Sequence, residues 1–323
     1  MQELIGKSLG KYRIVERLAR GGMAEIYKAY QNNLDRYVAI KVMHAHLSSD
    51  PGFLARFERE AKSIAALHHP HIVQVLDYDI EEDMPYIVME LIDGISLKTQ
   101  IKNLSRHGEL VPLKKTVRII REIGQALSYA HQQNLVHRDV KSSNVIVEGG
   151  EALKGRAVLT DFGLVKILAS DEMTITILQG RGTALYTPLE QYGGDSGHTD
   201  ARSDVYAFGA TLYHLLTNTR PIEARELFLH PENLVPPRQL NPDISLRTER
   251  AILWAMSLHP EDRPQDVEAF RQALLGDWNP VTRPRAALPG PTLVDLVSSP
   301  AELTLIWISA GLVLLSLLFT LIR

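Results

Sequence analysis

The pattern of this sequence predicts an α+β chain in two lobes, on three observations. Residues 12–92 run mostly as short strand-like segments around one helical stretch. Residues 95–275 carry apolar positions at helical spacing instead. A proline-bearing stretch, 276–302, then leads into a wholly uncharged apolar run, 303–322. Alternation of period two marks a half-buried strand, and recurrence at i, i+3, i+4 and i+7 marks a helix with one buried face.

In the small lobe, strands over 12–18 and 25–30 flank a turn holding Gly21 and Gly22, as in a hairpin. A third strand is expected over 36–43. Phe53, Phe57, Ala61, Ile64 and Ala65 then share one face of a helix over 53–67, with Pro51 placed where a first helical turn accepts proline. Strands over 73–78 and 86–91 complete this lobe. Beyond Asp93-Gly94 an amphipathic helix is expected over 117–132, a buried central helix over the nearly all-apolar 205–216, and closing helices over 249–258 and 267–275.

At 323 residues the chain is longer than one compact core usually needs. With 35 Lys and Arg against 38 Asp and Glu the net charge is −3, which argues against nucleic acid as a partner. The absence of cysteine excludes disulfides, thiolate metal sites and cysteine nucleophiles. Residues 1–7 have no apolar run behind a basic start and do not read as a signal peptide.

Pro280, Pro284, Pro289, Pro291 and Pro300 each fix φ and remove a donor, so 276–302 reads as a semi-extended tether. Residues 303–322, at 1.5 Å rise per residue, span roughly 30 Å, the thickness of a bilayer core. A single transmembrane helix is therefore expected, with the lipid bilayer as a partner. Arg283 and Arg285 precede it and Arg323 follows it. This bias puts the folded part in the cytoplasm and the C-terminus outside the cell membrane. Almost nothing follows the span, so signals are expected to arrive through partners or lateral self-association.

One loop carries the chemistry. Asp139 stands five residues before Asn144, and a second acid, Asp161, follows a short hairpin later. A site that moves a phosphoryl group needs a carboxylate near the attacking hydroxyl and oxygen ligands for a metal ion on the phosphates. His137-Arg138-Asp139 with Asn144, then Asp161-Phe162-Gly163, resembles the catalytic loop and metal-binding turn of protein kinases. Val38-Ala39-Ile40-Lys41 on an expected strand resembles their V-A-I-K. Residues 18–27 resemble the glycine-rich loop, with Ala19 and Ala24 replacing the outer glycines, which loosens rather than blocks phosphate approach. Lys141 resembles the serine/threonine branch, and Met173-Thr174-Ile175-Thr176 the twin-threonine segment of bacterial relatives. Over roughly 12–275 the chain thus resembles the bacterial, eukaryotic-like serine/threonine protein kinases.

The resemblance implies a two-lobed protein kinase fold with ATP in the cleft, Mg²⁺ or Mn²⁺, and transfer to serine or threonine of protein substrates. Gly21 and Gly22 would lie over the phosphates, and Lys41 would touch the α- and β-phosphates, held by Glu60, while Glu58 faces solvent. Met89 would be the gatekeeper, with the backbone of Glu90 and Ile92 pairing with adenine. Asp139 would take or orient the substrate hydroxyl's proton, Lys141 would contact the γ-phosphate, and Asn144 and Asp161 would hold the metal. Thr183 would hydrogen-bond Asp139 and Lys141. Glu190 would pair with Arg263, and Asp204 would cap the catalytic loop. Pro188 falls one place early against the family's A-P-E, which puts the local backbone in question. Arg138 would bind a phosphorylated activation loop, with Thr174 and Thr176 as autophosphorylation sites and a homodimer for phosphorylation in trans. Two other readings stay open: a pseudokinase acting as a membrane-tethered binding module, motivated by Ala19, Ala24 and Pro188, and a small-molecule phosphotransferase of the same fold.

Overall fold

A computed structural model describes residues 4–22, 24–44, 47, 51–149, 155–162, 183–192 and 199–276. The expected tether, span and phosphosites Thr174 and Thr176 lie outside the described residues. Within these, no helix is long and apolar enough to cross a membrane.

The small lobe is built on an antiparallel sheet of β1 (Ser8–Leu9), β2 (Tyr12–Arg20), β3 (Ala24–Gln31), β4 (Arg36–Met43), β5 (Val75–Glu81) and β6 (Met84–Glu90). The strand order is β1-β2-β3-β4-β6-β5. Alternation explains its two buried faces. Val38, Ile40 and Val42 of β4 join Tyr27, Ala29 and Val88 in an outer core that Leu4 and Leu9 cover. Ala39 and Met43 point the other way, into the main core with Ile87 and Met89. Lys41, between them in sequence, shares their face.

Helix α1 (Pro51–Ala65) packs Phe53, Phe57, Ala61 and Ile64 on that inner face, as their spacing predicts. The sequence reading ends this helix two residues late and sets the strand at 73–78 too early. The stretch between helix and strand is instead tied to the large lobe. Val73 N–H donates to the Leu159 carbonyl at 3.0 Å, and Leu159 N–H donates to His71 at 2.9 Å.

A short antiparallel sheet joins the lobes: β7 (Gly94–Ser96), β8 (Val145–Glu148) and β9 (Ala157–Leu159). A Cβ on Gly94 would stand 2.3 Å from the Val147 carbonyl oxygen, so only glycine allows this strand approach. The large lobe holds α2 (Leu97–Arg106), α3 (Leu113–Gln132), α4 (Ala201–Thr217), α5 (Ala224–Leu229), α6 (Pro237–Leu240), α7 (Leu246–Ala255) and α8 (Val267–Leu275). Helix α4 is buried from Ser203 to Thr217 and forms the axis of the lobe. Asp200 caps its start, accepting from Arg202 N–H at 2.8 Å.

Candidate active site

The catalytic loop hangs from α4. Asp204, fully buried in the first turn of that helix, accepts from the N–H groups of His137 at 2.7 Å and Arg138 at 2.8 Å. His131 Nε2 lies 2.8 Å from the same carboxylate. Burial pushes the Asp204 carboxyl up, but His131 and the two backbone donors outweigh it and hold the group below the usual carboxylate range. These bonds fix Arg138 in the left-handed region at φ 65°, a conformation costly for a side-chain-bearing residue.

His137 is a support for this loop. Asp139 N–H donates to its Nδ1 at 3.2 Å, which leaves Nε2 to donate to the Thr160 carbonyl at 3.0 Å. One nitrogen accepting and one donating means a neutral ring, and burial pushes its pKa down. The Phe162 ring packs 4.5 Å from the His137 ring, so the turn carrying Asp161 is locked to the loop carrying Asp139.

Asp139 meets the Lys141 ammonium at 2.7 Å, and the same ammonium donates to the Thr183 hydroxyl at 3.0 Å. Asn144 donates through its amide to the Asp139 carbonyl at 2.9 Å and carboxylate at 3.0 Å. Asp161, also left-handed at φ 57°, receives the Lys41 ammonium at 2.8 Å. Burial raises the Asp161 carboxyl, and Lys41 overcomes it, keeping the group ionised below its ordinary range.

Lys41 does not meet Glu60. The Glu60 carboxylate instead lies 3.8 Å from its neighbour Arg59. The expected Lys41–Glu60 pairing is thus corrected for this structure: Asp161 holds the lysine and balances its charge. Glu58 pairs with Lys62 at 2.7 Å on the solvent face, as its position predicts.

Lys41, Asp139, Lys141, Asn144, Asp161 and Thr183 line one cleft of about 1080 Å³ between the lobes, together with Gly21, Gly22 and Ala19 above. Gly21 N–H donates to the Ala24 carbonyl at 2.9 Å, closing the turn. Ala39, Val73, Met89 and Ile146 give the cleft an apolar end. At that end the chain from Leu91 to Asp93 runs on from β6 without a strand partner, and the Ile92 N–H has no backbone acceptor among the described residues. The Glu90 side chain is anchored outside, accepting from Gln74 N–H at 3.0 Å and from Arg156 at 3.2 Å.

Glu190 and Arg263 meet as expected, in a two-pronged pair at 2.7 Å and 3.0 Å. The guanidinium also donates to the carbonyls of Ser257 and Leu258 and lies 5.0 Å over the Tyr206 ring. Arg263 outweighs the burial that would raise Glu190, so the carboxyl stays low. The early proline does not disturb this: Pro188 is extended at φ −72° and ψ 162° and precedes a single turn, Leu189–Gln191, that carries Glu190 inward.

Sequence reasoning missed three buried partners behind the loop: Ser142, Tyr186 and His214. The Tyr186 hydroxyl lies 3.0 Å from Ser142 Oγ and 2.6 Å from His214 Nδ1. It also missed Arg156, which links Glu90, Glu148 at 2.9 Å and the Pro70 carbonyl at 2.6 Å. Only the adjacency of Ser142 to Lys141 signalled any of these.

Residues 12–274 match the family described as protein kinase domain. The serine/threonine-protein kinase PknB of Mycobacterium tuberculosis is 36% identical over 275 residues, taking in 82% of this chain and 42% of that protein. The serine/threonine-protein kinase PrkC of Bacillus subtilis is 36% identical over 273 residues, with 82% and 40% covered. The chain therefore spans about two fifths of the length of these curated relatives. A crystal structure of the Mycobacterium tuberculosis PknI kinase domain, in a mutant form, superposes with a TM-score of 0.68 at 27% identity, covering 85% of this chain and 98% of that one. Fold, cleft and sequence agree, and the chain belongs to the protein kinase domain family.

Proposed function

We propose that this chain is a membrane-anchored serine/threonine protein kinase, passing the γ-phosphate of ATP to Ser and Thr hydroxyls of proteins. The observation that carries the reading is the Lys141 ammonium, held between the Asp139 carboxylate at 2.7 Å and the Thr183 hydroxyl at 3.0 Å. That arrangement places a cation for a transferring phosphate beside a carboxylate for the attacking hydroxyl. The relatives PknB and PrkC are named serine/threonine kinases.

The cleft suits ATP. Its apolar end, with Met89 and Ala39, fits a purine, and the Ile92 N–H and Glu90 carbonyl offer the donor and acceptor edge. Gly21 and Gly22 let backbone N–H groups approach phosphate without a Cβ in the way. The donor set of Asn144 and ionised Asp161 is all hard oxygen, which fits Mg²⁺ or Mn²⁺. The metal supplies charge neutralisation on the phosphates. Lys41, released from Asp161, would take the α- and β-phosphates, and Glu60 would then become its partner. Asp139 orients the acceptor hydroxyl and takes up its proton.

A pseudokinase reading gains nothing here, because Lys41, Asp139, Lys141, Asn144 and Asp161 all face one cleft. Activation by autophosphorylation at Thr174 or Thr176, through a second copy of the chain, belongs to the same reading. It is supported by Arg138, whose buried Nε has no hydrogen-bond partner among the described residues. A phosphate on the activation loop would satisfy it. Anchoring through 303–322, with the kinase on the cytoplasmic side, rests on hydropathy and on Arg283 and Arg285.

Incubation with γ-labelled ATP and Mg²⁺ tests the reading. Label is expected on serine or threonine of an acceptor protein and on the chain itself, seen as a mass increase of the intact protein. Label confined to tyrosine, or none at all, refutes it. Removal of 303–323 should free the protein from the membrane pellet; a truncated protein that still pellets contradicts the anchor.

A further inference from the structure

Among the described residues, Lys141 and Ser142 link the catalytic loop to the segment from Thr183 on, on opposite sides of the backbone. On the cleft side Lys141 donates to Thr183 at 3.0 Å. On the core side the next residue, Ser142, reaches Tyr186 at 3.0 Å. Tyr186 stands in the same turn as Thr183, its N–H donating to the Thr183 carbonyl at 3.0 Å. His214, from the buried axis helix α4, closes the group at 2.6 Å from the Tyr186 hydroxyl and 3.5 Å from Ser142 Oγ. The three side chains come from three separate parts of the large lobe.

We infer that Ser142, Tyr186 and His214 form a positioning lock that sets Thr183, and with it the acceptor-binding segment, against Asp139. The inference rests on the kinase reading for its effect on turnover, but not for its effect on structure. All three groups are buried, so none has water to replace a lost partner. The hydroxyls form a directed chain. Burial keeps the His214 ring neutral at ordinary pH, so one ring nitrogen can accept; with Nδ1 as that nitrogen, Tyr186 O–H donates to it and Ser142 O–H donates to Tyr186. A chain of this kind defines one geometry, whereas apolar packing would tolerate small slips. Glu190 holds the far end of the segment through Arg263 and Ser203, and without the core-side bond the Thr183 end would meet the loop through Lys141. A second bond three residues on fixes that end, and helix α4 supplies a rigid base. These are positioning residues: none of them lines the cleft.

Tyr186→Phe, Ser142→Ala and the double variant, in the full chain, test the lock in two arms. The first arm is amide hydrogen exchange of residues 183–192, with no substrate present. Exchange there is expected to rise about tenfold in either single variant and no further in the double. Unchanged exchange overturns the lock, whatever the enzyme does. The second arm is phosphorylation of casein. A fall of about tenfold in kcat/KM for casein is expected in each single variant, with the Kd for ADP retained. The double variant should be no worse than either single, since all break one chain. Ser142→Thr, which keeps the hydroxyl, should restore most of the rate. Additive losses, or a casein rate equal to that of the original protein, contradict the lock. If the original protein neither binds ADP nor labels casein, the kinase reading fails, and the exchange arm still decides the lock.

Discussion

The Lys41 ammonium sits 2.8 Å from Asp161, while Glu60 sits 3.8 Å from Arg59. A lysine on β4 is thus held by Asp161 of the large lobe and not by the small-lobe helix. Both charges are mostly out of water, with side-chain exposures of 11% and 22%, so the pair is a real constraint on the cleft. Bringing Glu60 to Lys41 would release Glu60 from Arg59 and leave Asp161 to find another cation. A metal ion with ATP would supply that cation.

Glu60→Gln separates stability from turnover. Among the described residues Glu60 makes one long contact, with Arg59 at 3.8 Å, so its loss should cost the free protein no more than about 0.5 kcal/mol. Thermal melting should stay within about 2 °C of the original. Phosphate transfer should still fall, by about tenfold or more. A large drop in melting temperature would mean that the Lys41–Glu60 pair already exists in solution.

Arg263 is expected to behave in the opposite way. Its guanidinium is fully buried, is paired with Glu190 at 2.7 Å and serves the carbonyls of Ser257, Leu258 and Arg202. Arg263→Ala leaves the Glu190 carboxylate without its cation and three carbonyls without this donor. A loss of about 3–5 kcal/mol in urea unfolding is expected. A loss under about 1 kcal/mol would show that the pair contributes little.

His214 gives a pH dependence whose sign follows from burial. An unfolded imidazole takes up its proton near 6.5, while burial first, then Arg220 and Lys98, hold the folded one down to about 4. Above 6.5 both forms are neutral and the stabilisation is fully present. As pH falls from 6.5 towards 4, only the unfolded chain gains the proton, so stability declines, by about 3 kcal/mol in all. Urea midpoints of His214→Gln should therefore fall less steeply over that window, by one proton's worth of slope. His137, also buried and neutral, contributes equally to both proteins and cancels. Identical slopes would place His214 in water.

Much of this site was legible because its residues act through fixed spacing in the chain. Asp139, Lys141 and Asn144 fall within six positions of one loop, and Asp161 follows on the next turn, so sequence order alone brought them together. The helix at 267–275 was placed to the residue, because Asp266 caps it and its apolar face is regular. The helix at Leu97–Arg106 went unseen. Its apolar positions, Leu97, Ile101 and Leu104, are few, and its start is set by Ser96 accepting from Thr99 N–H at 3.2 Å. Partners brought together by folding were harder. Glu190 with Arg263 came from family resemblance, and Tyr186 with His214 came from nothing in the sequence, since 28 positions separate them. The choice of Lys41 between Asp161 and Glu60 depends on where α1 sits, which local pattern does not encode.

The most direct measurement compares the original protein with Asp139→Asn in transfer from γ-labelled ATP. Asparagine keeps the shape beside Lys141 and Asn144 but cannot take a proton or balance the lysine's charge. Label transfer to serine or threonine is expected to fall by about a hundredfold or more. Affinity for ADP should stay within about threefold, since adenine and phosphates rest on other residues. Equal transfer by both proteins, or no transfer by the original, would contradict the assignment of this cleft to phosphoryl transfer.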